Sequence, residues 1–593
     1  MEFSQYVTEV IASIDCVEKD SDYDAVSLIK GAMKKADNEM DAHILSIISG
    51  SMTMTYNHKK QAFLPLLIDV NGNKSFAIED IQKTDIDILR GVAQITKSSC
   101  LRTRFSHIIW VLTNEYEYGQ QAVTGYLDAF RKTFDSVHWT TCYEKARIAY
   151  HIASLLGKSS DVFKQAHSTI KQQLIILNGS DSLFLSIGLL SLILNDLSKE
   201  ELPQFVIIAE MLFYKNVDPN CDNPHLSDEA FLVLEAMYKR LKRNDDIKIA
   251  KEQYATYYEA QSRKLVEKKD YFRAVLLIKK ACTLYNDVNR DKVIELRLEM
   301  EEWQKLALKE LHPITTKIDV KDTAKAIEQM FSGLNLSESI VQFGRMSRIY
   351  KVDDVKQKLL QKEDVQLVNS IFGSTLLNGQ GQSVQNLPPL SNIDEESYVF
   401  RKHMIHYVAE QRRMFDSIQV SMAFHHLRQF GTISEDAIDF LVQDNAIIPN
   451  NRVDIIREGL CFALNGKLYT AMHILLPQTE NIFRNLVKMC GDTVTFLKED
   501  GSESFKPLSS LFRSSKLLDC YDMDVIFTFQ SIMDDPTGEN LRNLNSHGLL
   551  EANEGNGVGA LSFLSLLIML LSLYNTKTLE IRRKLSEIEV SKT

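Results

Sequence analysis

KKDYFRAVLLIKKACTLY, residues 268–285, has the pattern that decides the fold. Its apolar residues recur at three- and four-residue steps, which places them on one side of an α-helix. The segment reads as the second half of a helical hairpin. The sequence on its N-terminal side repeats the pattern. Segments 24–36, 44–52, 85–95, 122–134, 143–156, 162–177, 183–194, 205–215, 228–240 and 246–264 all show the same spacing. No fixed period of 34 or 40 residues relates them, so residues 1–310 are expected to form an irregular, solenoid-like α-helical array. Such arrays present long surfaces suited to scaffolding or sensing, with a protein partner or trigger as the expected occupant. Residues 63–70, followed by Asn71-Gly72, are the one short strand expected in this half.

Composition agrees with this reading. The chain has 593 residues, of which 45% are hydrophobic and 25% charged, the balance of a globular protein. Only 24 Gly and 11 Pro are present, too few for the frequent turns of a β-sandwich or barrel. The formal net charge of −11 argues against a surface that coats duplex nucleic acid. The eight Cys are scattered, with no C-x-x-C pair, and read as buried thiols in a reducing compartment. The N-terminal MEFSQYVTEVIASIDC lacks a basic segment followed by an apolar run, so no secretory signal is expected and the location is expected to be cytoplasmic.

Beyond residue 310 the pattern stays helical until FGSTLLNGQGQSVQNLPPLSN (372–392), an uncharged Gly/Gln/Ser/Asn/Pro-rich stretch. It reads as a loop or linker, making 311–392 a helical connector and placing the main boundary there. Residues 393–593 then form a second helical domain. Within it, 493–505 (TVTFLKEDGSESF) reads as a β-hairpin around Asp500-Gly501. Residues 558–574 (VGALSFLSLLIMLLSLY) carry no charge. Their small residues Gly559, Ser562, Ser565 and Ser572 share one side of the helix, which suits a central core helix packed closely by its neighbours. A membrane span would need about 20 such residues, and membrane contact is the less favoured reading.

The common catalytic signatures are missing: there is no P-loop, no dinucleotide-binding G-x-G-x-x-G, no G-x-S-x-G and no H-E-x-x-H. His403 and His406 share a helix face and His425-His426 are adjacent, but two imidazoles do not make a metal site. No metal and no cofactor are expected. The informative stretch is ENLRNLNSHG, residues 539–548. Asn543 and His547 are i and i+4, so an amide at Asn543 is placed to orient the imidazole. Arg542 lies about 140° away around the helix, and would converge with His547 only across a facing second helix. Gly548 is positioned to end the helix and leave His547 at an opening. The bland alternative is a helix terminus with a dipole-stabilised His and a surface Arg.

Arg542-Asn543-x-x-x-His547-Gly548, preceded by Asn540-Leu541, resembles the signature of a helical family within the HEPN superfamily, one that includes an endoplasmic reticulum membrane-associated RNA degradation protein. Pro449-Asn450-Asn451-Arg452, Glu458-Gly459-Leu460 and AMHILLPQTENIFR (471–484) resemble the same family upstream, where a P-Q-x-E and a following Arg recur. The resemblance covers about residues 393–575 and implies an all-α HEPN-type bundle acting as a homodimer. It also implies an endoribonuclease that needs no metal: His547 as general acid or base on the 2′-OH of RNA, Arg542 on the scissile phosphate, and Asn543 positioning either. Glu480 and Arg484, also i and i+4, would support them, with Asn540 and Gly548 shaping the helix ends. Many bacterial proteins of this kind are toxins or anti-phage (abortive infection) effectors triggered through another domain. The competing expectation is a non-catalytic interaction or scaffold protein whose HEPN-like domain only binds nucleotide or RNA.

Overall fold

The computed structural model describes residues 2–15, 22–58, 60–67, 73–134, 139–181, 184–218, 224–312, 317, 319–360, 372–390 and 393–590. The protein is all-α, with three small antiparallel β-hairpins inserted among its helices in the described residues. The chain divides into two compact units, Met1–Trp303 and Gln304–Thr593.

In the first unit the helices start and stop where local chemistry directs them. Helix Tyr271–Tyr285, within the 268–285 stretch, is capped by Asp270, whose carboxylate accepts the Arg273 N–H at 3.2 Å. It buries Ala274, Val275, Ile278, Ala281 and Tyr285 and packs on Asn244–Glu267, forming the expected helical hairpin. Helix Asp161–Leu177 begins on Ser160, which accepts the Phe163 N–H, and ends on Asn178 in the left-handed region at φ 46°. Ala62–Leu64 forms a short strand where one was expected, and it pairs with a second, Thr55–Asn57, upstream. Residues 68–70 of the expected strand, and Asn71-Gly72 after it, lie outside the described residues.

The second unit is organised around helix Val558–Leu573. Eleven of its 16 residues are buried. It touches Leu336–Gly344, Ser417–Arg428, Leu468–Met489 and Met523–Met533. The stripe of small residues lets its neighbours in. Ser565 Oγ donates to the Phe343 carbonyl at 2.7 Å and accepts the Ser347 N–H at 3.1 Å. A Cβ on Gly344 would lie 2.9 Å from both Ile568 Cγ2 and the Met569 backbone nitrogen, so this helix crossing requires glycine. The stretch Ala552–Leu573 is long and apolar enough to pass as a membrane span by length and composition, yet most of helix Val558–Leu573 is buried inside this bundle.

Residues 311–392 differ from the expected connector. Ile327, Phe331, Ile340, Phe343 and Met346 belong to the same apolar cluster as Leu475, Phe563 and Leu567, so helices Lys321–Phe331 and Leu336–Gly344 are part of the second core. The supposed linker holds a hairpin, Ser374–Leu377 against Ser383–Leu387. Its strands are mostly polar, so they lack the alternation that marks a half-buried strand, and the pairing rests on backbone bonds across a turn at Asn378–Gly381. The hairpin at Thr495–Leu497 and Glu503–Phe505 forms as the Asp500-Gly501 turn predicts.

Candidate functional site

Helix Leu541–Ser546 is short, six residues, and is held from its N-terminal side. Asn540 precedes it in the left-handed region at φ 53°, a conformation that Asn tolerates better than most side chains. Leu541 is buried and anchors the first turn. Asn543 Nδ2 donates to Asn540 Oδ1 at 2.7 Å and to the Asp534 carbonyl at 2.9 Å, while its Oδ1 accepts Arg542 Nη1 at 2.9 Å. The amide is thus used by the incoming loop and by Arg542, and it makes no side-chain bond to His547 among the described residues. The expectation of an imidazole oriented by Asn543 is not met. Helical side chains lean toward the N-terminus, so Asn543 reaches back to 540 and 534 rather than forward to 547. His547 is linked to Asn543 through the backbone, its N–H donating to the Asn543 carbonyl at 3.1 Å. The helix ends there, Gly548 takes φ +69°, and both His547 and Gly548 are exposed.

Arg542 is anchored by Glu480. This carboxylate, on helix Leu468–Met489, is 4% exposed, accepts Arg542 Nε at 2.5 Å and also binds Arg484. One buried anion therefore holds two guanidinium groups, and Arg542 Nη2 makes no hydrogen bond among the described residues. The Arg484 guanidinium lies 5.4 Å from the Phe505 ring centroid, so the 495–505 hairpin roofs this cluster. Asp534, half-buried beside Arg542, has its carboxyl held above the usual carboxylate range by burial, with Arg542 pulling the other way.

A second ion pair, not anticipated from the sequence, holds the loop before the helix. Arg412 is fully buried and lies in a single π-helical turn, Arg412–Asp416, that interrupts the helix running from Tyr398 to Arg428. Its Nη1 donates to Glu539 at 2.5 Å and its Nη2 to Ser531 Oγ at 2.7 Å. Glu539 runs close over Gly559, where a Cβ would sit 2.6 Å from Glu539 Cγ. Next to this pair is a cleft of about 390 Å³, lined by Arg413, Glu539, Asn540, Leu544 and Glu554. No sequence signal marked Arg412 as the buried one of the Arg412-Arg413 pair, since two adjacent helical residues can share a polar face.

The histidines considered as metal ligands are dispersed in role. His403 is buried, His406 pairs with Glu410 at 3.4 Å, and His426 stacks on Phe331 at 5.5 Å. Among the described residues no group of three or more His, Cys, Asp or Glu is gathered as a metal site.

Comparison with known proteins adds one match. Residues 4–165 match a family described as a domain of unknown function, DUF7380. The match lies within the first unit and does not reach residues 540–548. No curated protein and no solved structure matches the chain. Inside the matched region the fold buries a polar aromatic cluster that sequence reading did not single out. His107 is 0% exposed, its ring centroid 4.4 Å from that of Tyr56 and its Nδ1 3.1 Å from the Tyr126 hydroxyl. Burial drives the His107 imidazole down to about 3 and the Tyr56 phenol up to about 12.

Proposed function

We propose that the second unit is a HEPN-type endoribonuclease that cleaves RNA through its own 2′-OH. The observation that supports this most directly is the Glu480 clamp. It holds Arg542 at a set position on a short helix whose other end presents an exposed His547. In the reaction the 2′-oxygen attacks phosphorus and the P–O5′ bond breaks. The imidazole of His547 takes the 2′-OH proton, and the 5′-oxygen acquires a proton as it leaves. The products are a 2′,3′-cyclic phosphate and a 5′-OH. The free Nη2 of Arg542 is the donor offered to the phosphate as charge develops. A second copy of the helix, contributed by a homodimer, completes the cleft in this reading. The first unit serves as the surface for a protein partner or trigger, in a cytoplasmic toxin or anti-phage effector.

A second reading is favoured by one specific fact: Arg542 already spends Nε and Nη1 inside the protein, on Glu480 and Asn543. On that reading the cluster is structural and the protein is an α-helical interaction protein. Incubating full-length protein with single-stranded RNA in EDTA decides between them. Cleavage that ends in 2′,3′-cyclic phosphate and disappears in His547→Ala supports the nuclease. Equal cleavage by both proteins, or none by either in the dimeric state, overturns it.

A further inference from the structure

A separate cleft of about 270 Å³ opens on the second unit between the segment leading into helix Val352–Leu360 and helix Tyr398–Gln411, and Arg348, Lys351, Lys358, Asp354, Tyr407 and Gln411 line it. Its charge is unusual for this chain, which carries a formal −11 overall. Three cations face one carboxylate. Arg348, Lys351 and Lys358 are all exposed, and none has an ion-pair partner among the described residues. The scaffold beneath them is pinned. Tyr350 is buried, its N–H donates to Thr528 Oγ1 at 3.1 Å and its hydroxyl to Asp416 at 2.7 Å. Two residues on, the Val352 N–H donates to Asp524 at 2.8 Å. The backbone that carries Arg348 and Lys351 is therefore set before any ligand arrives, and the ordering cost that falls on binding is that of the side chains alone.

We propose that this cleft is a binding site for a small phosphomonoester. The cations exceed the carboxylate by two charges, which matches the dianion of a phosphomonoester better than the single charge of a phosphodiester. Arg348 supplies a planar fork for two phosphate oxygens, and the lysines supply point charges around it. Gln411 offers an amide to the body of the ligand. The volume takes a phosphate together with a small polar body such as a sugar, and is below the range usual for large cofactors. No residue of the Arg542–His547 helix lines it, and the proposal does not rest on the ribonuclease reading.

The test is binding by full-length protein, measured by calorimetry with ribose 5-phosphate, inorganic phosphate, dimethyl phosphate and a 5′-hydroxyl RNA oligonucleotide, using His547→Ala so that no RNA is consumed. Ribose 5-phosphate is expected to bind, more weakly as salt rises, with dimethyl phosphate well behind it. Arg348→Gln and Lys358→Gln, both at exposed positions, are each expected to weaken binding about tenfold, with an unchanged circular dichroism spectrum. Stronger binding of ribose 5-phosphate than of inorganic phosphate supports a sugar phosphate as occupant, and equal binding supports free phosphate. The proposal is overturned if neither phosphate binds or if both variants bind as wild type does. It is also overturned if dimethyl phosphate binds as tightly as ribose 5-phosphate, or if Arg348→Gln and Lys358→Gln weaken RNA binding as much as they weaken that of ribose 5-phosphate, since either result assigns the cleft to diesters. Because binding is the readout, loss of the nuclease reading leaves this result intact.

Discussion

Glu480→Gln removes one buried negative charge and leaves two guanidinium groups facing an uncharged amide. The Glu480 side chain is 6% exposed, and those of Arg484 and Arg542 are 21% and 22% exposed. At a separation of about 4 Å and an effective dielectric near 20, each pair is worth about 4 kcal/mol before desolvation. Desolvation offsets much of that in the wild type, but deleting one partner of a buried pair typically costs about 3–5 kcal/mol, because the remaining charge stays buried. Both arginines reach some water, which lowers the expected cost to about 2–3 kcal/mol. The chain has two compact units, so one melting transition cannot be assigned to this cluster. Native-state hydrogen exchange, read on peptides from Leu468–Met489 and Leu541–Ser546, isolates the effect. Protection there should fall by about thirty- to 160-fold, while peptides from Tyr271–Tyr285 in the first unit keep theirs. A change within about twofold in the site peptides would show that Glu480 does not hold Arg542, and the clamp argument would fail.

Acid should destabilise the first unit through His107. Its folded value near 3 lies below the unfolded value of about 6.5, so the unfolded state takes the proton first. This stabilisation is complete above about pH 6.5 and is lost as pH falls toward 3, with a loss of about 2 kcal/mol at pH 5. All three tryptophans, Trp110, Trp139 and Trp303, lie in the first unit, with the Trp110 ring 6.0 Å from that of His107. Tryptophan fluorescence in urea therefore reads that unit, and His107→Gln should flatten its pH slope between 7 and 5; equal slopes refute the assignment. Gly344→Ala should cost about 1–3 kcal/mol, since its Cβ meets the Met569 backbone and not a flexible side-chain end. Exchange in Val558–Leu573 should rise in that variant, and unchanged protection would mean that the crossing can open at no cost.

Much of the fold is legible in the sequence because helices announce themselves locally. Asp270, Ser160 and Asn178 act within one turn of their own positions, and apolar spacing marks the buried face of Tyr271–Tyr285 without any knowledge of its neighbour. The stripe Gly559, Ser562, Ser565 and Ser572 likewise announces close packing. It does not say that Gly344 and Glu539 are what come close. The 372–392 stretch fails to read as a hairpin because strand alternation is a burial signal and its strands are largely unburied.

The candidate site divides along the same line. Spacing alone places Arg542, Asn543 and His547 on one short helix and pairs Glu480 with Arg484 at i and i+4. Charge, composition and periodicity likewise determine an all-α chain without reference to its three-dimensional packing. Tertiary structure decides the partners: Glu480 grips Arg542 from 62 residues away, and Arg412 reaches Glu539 across 127. It also turns the Asn543 amide toward Asp534 and away from His547. These pairings depend on which buried charge finds which counter-charge once the helices pack. Periodicity reports only that a residue faces inward, and so cannot name the group it meets there.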